Sequence, residues 1–229
     1  MLKEEVVERK EMQRKKTSSL KKEIYDSILK EVVEGIYKPG DIINEKNLIE
    51  KYGVSKSPIR DALIELCNEG VLVCHPRYGY DVVRIDEKEI KDIVEFRVMV
   101  EVSCLKRAAM VMTKEDIEEL RSFTINECSG DDPNTTLLNH WYNNGKFHLK
   151  LLSYSRNKYC YNLVEKSIGV LTRAYVQRNW EKWGVQSIKM GCENHLKIID
   201  YLSENDAEKA AQELERDISS FLNIILSVY

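Results

Sequence analysis

Apolar residues recur at four-residue spacing near the start of the chain, which places them on one face of a helix. They are Leu20, Ile24, Ile28, Val32 and Ile36. Pro39 and Gly40 end this pattern, because proline lacks a backbone N–H and both residues favour turns. A second short helix is predicted from Glu45 to Tyr52, and Gly53 ends it with a positive φ.

A third helix and a hairpin follow this turn. Ser55 or Ser57 can cap the helix at its start. Its predicted inward residues are Ile59, Ala62, Leu63 and Leu66. Two β-prone runs, 71–73 and 81–83, are joined by the sequence HPRYGY, which predicts a hairpin with Gly79 in its turn.

The chain after Ile85 shows only helical periodicity. A long helix is predicted from near Asp86, and Thr113 with Asp116 three residues later is typical of a cap that opens the next helix. Further helices are predicted over about 137–154, 157–180, 187–203 and 206–227. Together they indicate an antiparallel bundle of about six helices.

Two helices joined by a glycine-containing turn and followed by a hairpin form the layout of a winged helix-turn-helix module. The predicted fold class is therefore mainly α, with a winged helix-turn-helix domain followed by an all-helical antiparallel bundle. The expected boundaries are a charged amino-terminal arm at 1–18, the winged domain at 19–85 and the helical domain at 86–229.

Composition narrows the class of protein. Of the 229 residues 43% are hydrophobic and 32% are charged, and only 10 Gly and 4 Pro exclude a collagenous or turn-rich all-β chain. No apolar run approaches the roughly 20 residues that span a bilayer, and the charged first residues lack a secretory signal. We therefore expect a cytoplasmic protein without membrane contact. The 6 cysteines form no CxxC pair, which argues against a thiolate zinc site or a disulfide scaffold.

The third helix carries residues suited to nucleic acid. The second helix of such a module enters the major groove, and Lys56 and Arg60 would lie on its exposed leading end. Arg60 can donate two hydrogen bonds to a guanine, while Ser55 and Ser57 can bind phosphate beside free backbone amides. These positions predict the DNA-reading surface.

The hairpin would add a second contact. Its tip would carry His75, Arg77 and Tyr78, and Gly79 would allow close approach to the sugar-phosphate backbone or the minor groove. The alternative is that residues 20–70 form a small helical subdomain whose charges are only a solvated face. The pattern favours the DNA interface only modestly, because helix-turn-helix geometry also occurs in proteins that bind no DNA. The net charge of −3 gives no general attraction to nucleic acid, so the prediction depends on where Lys and Arg lie.

Extended motifs in this half resemble the DNA-binding domain of the GntR family of bacterial transcriptional regulators. They comprise the turn residues Val32, Gly35, Pro39 and Gly40, the pattern GVSxxPIRxAL at 53–63 and EGVL at 69–72. The resemblance implies operator contacts at the matching positions, which are Ser55, Lys56, Ser57, Arg60 and Gly79.

Histidines in the helical half have polar companions at useful spacing. Asn144 and His148 are four residues apart and share a helix face, while His195 and Asp217 lie on later helices. Together these four residues could enclose an ion or a polar ligand in the bundle core. The alternative is that each histidine is a hydrogen-bonded core or boundary residue, and a single sequence favours this alternative.

The helical half also resembles the FadR-type subgroup of the family, whose FCD domain senses small carboxylates. The matching segments are 92–101, 145–152 and 193–217. The resemblance implies a divalent metal at the positions of Asn144, His148, His195 and Asp217. The subgroup has aspartate where this chain has Asn144 and histidine where it has Asp217. We therefore expect weakened binding of Zn, Ni or Mn, or a site without metal.

Arginines offer a second way to bind an acidic effector. Arg97 and Arg173 can each hold a carboxylate through two parallel hydrogen bonds, and Tyr142 could line the same cavity. Two alternatives stay open. Arg97 could pair with Glu101 one turn later on its own helix, and aromatic residues at helical spacing are more often plain core.

The sequence therefore predicts a ligand-responsive transcriptional regulator. We expect a repressor that binds a short palindromic operator as a homodimer, with a small organic acid as effector. One alternative is a helical domain that only dimerises. Another is a metal-dependent enzyme using His148, His195 and Asp217, but the sequence lacks a paired nucleophile and base, so we predict that the chain is not an enzyme.

Overall fold

The computed structural model describes residues 19–128, 137–179 and 192–226. These residues fall into two compact units that divide between Arg84 and Ile85. The predicted arm at 1–18 lies outside the described residues. None of the helices in the described ranges has the length and apolar character needed to cross a membrane.

The first unit combines short helices with a small antiparallel sheet. In chain order its elements are α1 (19–33), β1 (Ile42–Ile43), α2 (Glu45–Tyr52), α3 (Lys56–Asn68), β2 (Leu72–His75) and β3 (Gly79–Val82). The strand order is β1-β3-β2, and β3 pairs antiparallel with both neighbours. The hairpin of β2 and β3 is the wing of a winged helix-turn-helix module.

Local signals set the bounds of α2. The Asn44 side chain accepts a hydrogen bond from the Lys46 backbone N–H at 2.9 Å, which caps the first turn. Gly53 ends the helix at φ 64° and donates its N–H to the Ile49 carbonyl at 2.9 Å. This left-handed conformation is inexpensive for glycine because it has no Cβ.

Three details differ from the sequence prediction. Helix α1 ends at residue 33, because the chain turns at Gly35 with φ 72° before it reaches Pro39. Ile36 therefore lies beyond the helix and is 61% exposed, instead of completing its apolar stripe. The turn of the hairpin spans 76–78, and Gly79 is the first residue of β3 instead of part of the turn. Strand β1 was not predicted.

The described residues of the second unit form helices joined by turns. Its elements are α4 (Glu87–Ala109), α5 (Lys114–Cys128), α6 (Leu137–Ser153), α7 (Lys158–Asn179), α8 (Glu193–Ser203) and α9 (Ala207–Leu226). Asp86 caps α4, and Thr113 and Asp116 exchange the two hydrogen bonds of a capping box at the start of α5. Helix α4 packs most extensively against α9, and α8 also packs on α9. The predicted fold class, mainly α, is confirmed.

Candidate nucleic-acid interface and metal centre

An open groove of about 530 Å³ lies between the start of α3 and the wing. Its lining includes four of the predicted DNA contacts, which are Lys56, Arg60, Arg77 and Gly79. Ser55 and Ser57 are exposed at the start of α3. The fold therefore brings the predicted contact residues of the helix and of the wing to one surface.

The start of α3 leaves backbone amides available. Ser55 occupies the position before the helix with φ −70° and ψ 164°, but its side chain makes no capping hydrogen bond. The Ser57 hydroxyl lies 3.5 Å from an Asp61 carboxylate oxygen, at the outer limit of a hydrogen bond. The first N–H groups of a helix attract anions when no side chain satisfies them. A DNA phosphate can take this place.

The two basic residues of α3 differ in their surroundings. Lys56 Nζ lies 3.0 Å from Glu45 Oε2, so part of its charge is neutralised. Glu45 also accepts a hydrogen bond from the Tyr80 hydroxyl at 3.1 Å, and burial together with this bond raises the pKa of Tyr80 to about 12. Arg60 is exposed and forms no hydrogen bond or ion pair with another described residue. Its guanidinium is thus available to an external partner.

The wing tip is built from unusual backbone. Arg77 adopts φ 74° in the turn, and Tyr78 is 77% exposed. Gly79 adopts φ 125°, and a Cβ at this position would lie 2.7 Å from the Ile43 carbonyl oxygen and 3.0 Å from an Ile42 methyl carbon. The close approach that Gly79 permits here is to β1 of its own chain. Its contact with DNA stays a prediction.

In the helical unit the four residues predicted to bind metal converge. One ligand atom each of His148, His195 and Asp217 lies within 4.8 Å of the others. Asp217 Oδ2 is 3.2 Å from His148 Nε2 and 3.6 Å from His195 Nε2. The Asn144 side-chain amide nitrogen lies 3.2 Å from His195 Nε2. Helices α6, α8 and α9 thus bring these residues into one buried cluster.

Glu101 belongs to this cluster and was not predicted as a site residue. Its carboxylate contacts His148 Nδ1 at 2.7 Å and accepts a hydrogen bond from Arg97 Nε at 2.6 Å. Both side chains on α4 are fully buried, with Arg97 2% and Glu101 0% exposed. The sequence held one signal for this role, because Arg97 and Glu101 interrupt the buried apolar stripe of α4.

Electrostatics keep both carboxylates ionised. Burial opposes the charge of Asp217, but hydrogen bonds from His148 and His195 outweigh it and hold the pKa of the carboxyl far below its ordinary value. Burial likewise opposes the charge of Glu101, yet the neighbouring charges of Arg97 and His148 lower its pKa. The cluster thus presents anionic oxygen beside imidazole nitrogen.

The two histidines shift in opposite directions. Burial lowers the pKa of His148, but the charge of Glu101 and the hydrogen bonds with Asp217 and Glu101 together outweigh it and raise the pKa above the ordinary value. Burial lowers the pKa of His195, and its hydrogen bond with Asp217 only partly opposes this effect. His195 therefore favours the neutral form, which is the form that binds a metal.

Several buried polar atoms of the cluster lack a hydrogen bond of regular geometry. His148 Nε2 and Asp217 Oδ2 face each other at 3.2 Å, and His195 turns its Nε2 atom towards Asp217 and leaves its buried Nδ1 atom without a partner among the described residues. The Glu101 contact occupies the opposite nitrogen of His148, an arrangement that orients metal-binding histidines. Two imidazoles and one carboxylate are a donor set that suits zinc and related divalent metals. The residues present therefore fit a metal ion, with Asn144 as a weaker fourth ligand if its amide oxygen turns inward.

The three predicted effector residues lie in different surroundings. Arg97 uses its Nε atom on Glu101, as the intrahelical alternative proposed, but its buried Nη2 atom has no hydrogen-bond partner among the described residues. Arg173 is 9% exposed on α7, and Tyr142 is 48% exposed on α6. Their roles in effector binding stay predictions.

Comparison with known proteins identifies both halves. The sequence model described as "Bacterial regulatory proteins, gntR family" matches residues 20–82, and the model described as "FCD domain" matches residues 92–220. The chain belongs to the GntR family. Its members are regulators, so the prediction that the chain is not an enzyme is confirmed.

Named relatives of this GntR-family chain are transcriptional regulators. The HTH-type regulator YdhC of Bacillus subtilis is 31% identical over 62% of this chain and 64% of its own length, which is less than two thirds of that relative. The Nta operon transcriptional regulator of Aminobacter aminovorans is 28% identical over 84% of this chain and 88% of its own length.

Solved structures share the fold of this family member. E. coli McbR/YncC aligns with a TM-score of 0.72 at 19% identity, covering 90% of this chain and 96% of that structure. A GntR regulator from Rhodococcus sp. RHA1 aligns with a TM-score of 0.71 at 15% identity, covering 92% of this chain and 99% of that structure. At this level of identity the likeness concerns the fold alone.

Proposed function

We propose that this chain is an effector-responsive transcriptional regulator that reads DNA through α3 and the wing. The groove lined by Lys56, Arg60, Arg77 and Gly79 carries this proposal. Arg60 would donate to a guanine edge, while the uncapped amides at the start of α3 and Arg77 would hold phosphates. Phosphate contacts position the module, and Arg60 supplies the sequence discrimination.

A homodimer and a palindromic operator belong to the same proposal. A short helix in one major groove reads few base pairs, and two-fold symmetry doubles the site. The two copies then bind half-sites related by the same symmetry as the protein. Residues 19–85 would form the DNA-binding domain and residues 86–229 the effector-binding and dimerisation domain. The expected outcome in the cell is repression.

The effector would bind in the helical domain beside the buried cluster. His148, His195 and Asp217 would hold a zinc, nickel or manganese ion, with Asn144 as the weaker fourth ligand. When bound, such an ion supplies a positive charge that accepts a carboxylate oxygen. Glu101 would orient His148 through its Nδ1 atom, and Arg97 Nη2, which has no hydrogen-bond partner among the described residues, would bind the anion. A second candidate role, dimerisation without effector, would require that this cluster binds nothing.

Regulation then needs only a difference in affinity. An effector changes DNA binding if it binds more tightly to the dimer geometry that fits the operator, or to the geometry that does not. Such coupling can either release the protein from DNA or strengthen its binding to DNA. We propose the first outcome, in which an organic acid relieves repression.

Selection from a random-sequence duplex library tests the DNA-binding proposal. The full-length protein is incubated with the library, bound duplexes are amplified, and several rounds are sequenced. We expect enrichment of short inverted repeats. Unchanged sequence composition after selection would contradict sequence-specific binding, and enrichment of single half-sites would contradict the dimer.

Elemental analysis and a thermal-shift screen test the effector proposal. Purified protein is analysed for bound metal and then heated with zinc, nickel or manganese, each with and without small carboxylates. Bound metal, or a metal-dependent shift with an acid, would support a metal-assisted carboxylate sensor. No metal and no shift, in the wild type and in His148→Ala alike, would leave dimerisation as the role of this domain.

A further inference from the structure

Buried polar atoms without partners concentrate in the helical unit. Among the described residues six buried side-chain nitrogen or oxygen atoms lack a hydrogen-bond partner, and five of them belong to this unit. Three belong to the metal-binding cluster described above. The remaining two are Arg97 Nη2 and Trp141 Nε1, both of which are hydrogen-bond donors.

These two donors share a neighbour in Phe221 on α9. The Trp141 ring centroid lies 5.1 Å from the Phe221 centroid, and Arg97 Cζ lies 5.4 Å from it. The His148 ring is 6.1 Å from the same centroid. One aromatic ring thus has Arg97, Trp141 and the cluster residue His148 as neighbours.

Of the three neighbours of Phe221, Trp141 has no role in the proposed metal site or in the proposed anion contact of Arg97. Its side chain is 4% exposed and packs against Tyr175 at a ring-centroid distance of 4.6 Å. Burial raises the pKa of Tyr175 and the nearby Trp141 N–H lowers it in part, but this contact does not meet the geometry of a regular hydrogen bond. An indole N–H can only donate, and folded proteins seldom bury such a donor without an acceptor.

We infer that the helical domain binds an acid with a flat apolar body and a second hydrogen-bond acceptor, and that Trp141 selects for this acceptor. The carboxylate meets Arg97 Nη2, the body lies against Phe221, and the second acceptor takes the Trp141 N–H. This inference rests on the proposed effector site and adds the class of acid that fits it. A site of apolar walls and a few fixed donors discriminates strongly against a ligand that leaves one donor unpaired.

Two acids of similar shape and equal charge test this role. 4-Acetylbenzoate carries a second acceptor, whereas 4-isopropylbenzoate replaces its carbonyl with an apolar group. Calorimetric titration of the full-length protein should show at least about tenfold tighter binding of 4-acetylbenzoate. In Trp141→Phe, which keeps the aromatic packing and removes the N–H, the two acids should bind equally, with the affinity for 4-isopropylbenzoate unchanged.

Indole resonances give an independent readout. The chain has 3 tryptophans, and the indole N–H signal missing from Trp141→Phe belongs to Trp141. That signal should shift strongly with 4-acetylbenzoate and weakly with 4-isopropylbenzoate. A folded Trp141→Phe variant that keeps the wild-type preference would overturn the inference, and so would a Trp141 signal that neither acid moves.

The remaining outcomes separate this inference from the proposed function. Equal binding of both acids by the wild type would remove the role of Trp141 and leave an acid-binding domain. Binding of neither acid would overturn the proposed ligand class. If zinc, nickel and manganese also failed to shift the melting temperature, the effector site itself would be overturned. Selection of DNA duplexes is independent of all these results.

Discussion

Arg60 and Arg97 show how differently the two units use a guanidinium. Arg60 is exposed at an open groove and meets no counter-charge among the described residues, so its hydrogen bonds are available to a large external partner. Arg97 is 2% exposed, is held by Glu101 and keeps one nitrogen without a partner. The first arrangement suits a polyanion that approaches from solvent, and the second suits a small anion that is enclosed.

The comparison also shows that an exposed charge and a buried charge differ in their cost to the free energy of folding. A solvated charge such as Arg60 costs the fold little, because water satisfies it until DNA replaces the water. Buried charges must be paired, since an isolated ion inside a protein is strongly unfavourable. Removing a charged side chain should therefore affect DNA binding at Arg60 and stability in the Arg97 network. The predictions below run from the largest expected effect to the smallest and include one uncharged position in each unit.

Glu101→Ala should produce the largest loss of stability. It leaves Arg97 and His148 buried beside an empty space, and breaking a buried pair in this way costs about 3–5 kcal/mol. Urea unfolding measures the change. The control is Glu208→Ala, which removes an exposed ion pair with Lys106 and should cost less than about 1 kcal/mol. Equal losses of unfolding free energy in the two variants would contradict the claim that Glu101 stabilises the fold by pairing buried charges.

Gly79→Ala should destabilise the winged unit by about 3 kcal/mol, because a Cβ there adds a clash with the Ile43 carbonyl oxygen to the strain of φ 125°. Gly70→Ala is the matched control. Gly70 has φ 66° but open space around its Cβ position, so only about 1 kcal/mol of backbone strain is expected. If thermal unfolding of the two variants agreed within experimental error, the contact of Gly79 with β1 would not explain this glycine.

Arg60→Ala should weaken binding to the selected duplex by about 1–3 kcal/mol, while stability stays within about 0.5 kcal/mol of the wild type. Arg60→Lys is the informative control. Lysine keeps the positive charge but cannot donate two parallel hydrogen bonds to a guanine edge, as the planar guanidinium of arginine can. It should therefore retain affinity for unrelated DNA and lose discrimination between sequences. Full discrimination by Arg60→Lys would mean that Arg60 binds only phosphate.

Asn144→Asp should strengthen zinc binding by about tenfold, which corresponds to roughly 1.4 kcal/mol, because a carboxylate is a stronger ligand than an amide. Asn144 lies 3.2 Å from His195 Nε2, close enough to join the cluster. Asn143→Asp adds the same charge one residue earlier and should change zinc affinity much less. Calorimetric titration with zinc measures both affinities, and similar zinc affinities of the two variants would mean that Asn144 is not a metal ligand.

Local sequence signals predicted much of the fold. The bounds of α2 agree with the structure, since an asparagine cap and a terminating glycine act within a few residues. Strand β1 was missed because its two residues become a strand only by pairing with β3. Gly79 was wrongly predicted to lie in the turn for a similar reason. Its place in β3 is fixed by its pairing with His75 of β2 and by its contact with β1.

The candidate sites were predicted in part. The resemblance to the family supplied Asn144, His148, His195 and Asp217, which the fold brings together. It did not supply Glu101, because Glu101 and His148 are 47 residues apart in the chain and meet only when α4 packs against α6. Trp141 was missed as well. An unpaired indole N–H is a property of three-dimensional packing, and no spacing rule reports it.

The affinity of the full-length protein for two duplexes tests the central claim most directly. One duplex carries the inverted repeat enriched by selection, and the other has the same length and base composition in scrambled order, both measured by fluorescence anisotropy at one salt concentration. The account predicts that the selected duplex binds at least about 10³-fold more tightly. Equal affinities would contradict it, because charge alone would then hold the protein on DNA.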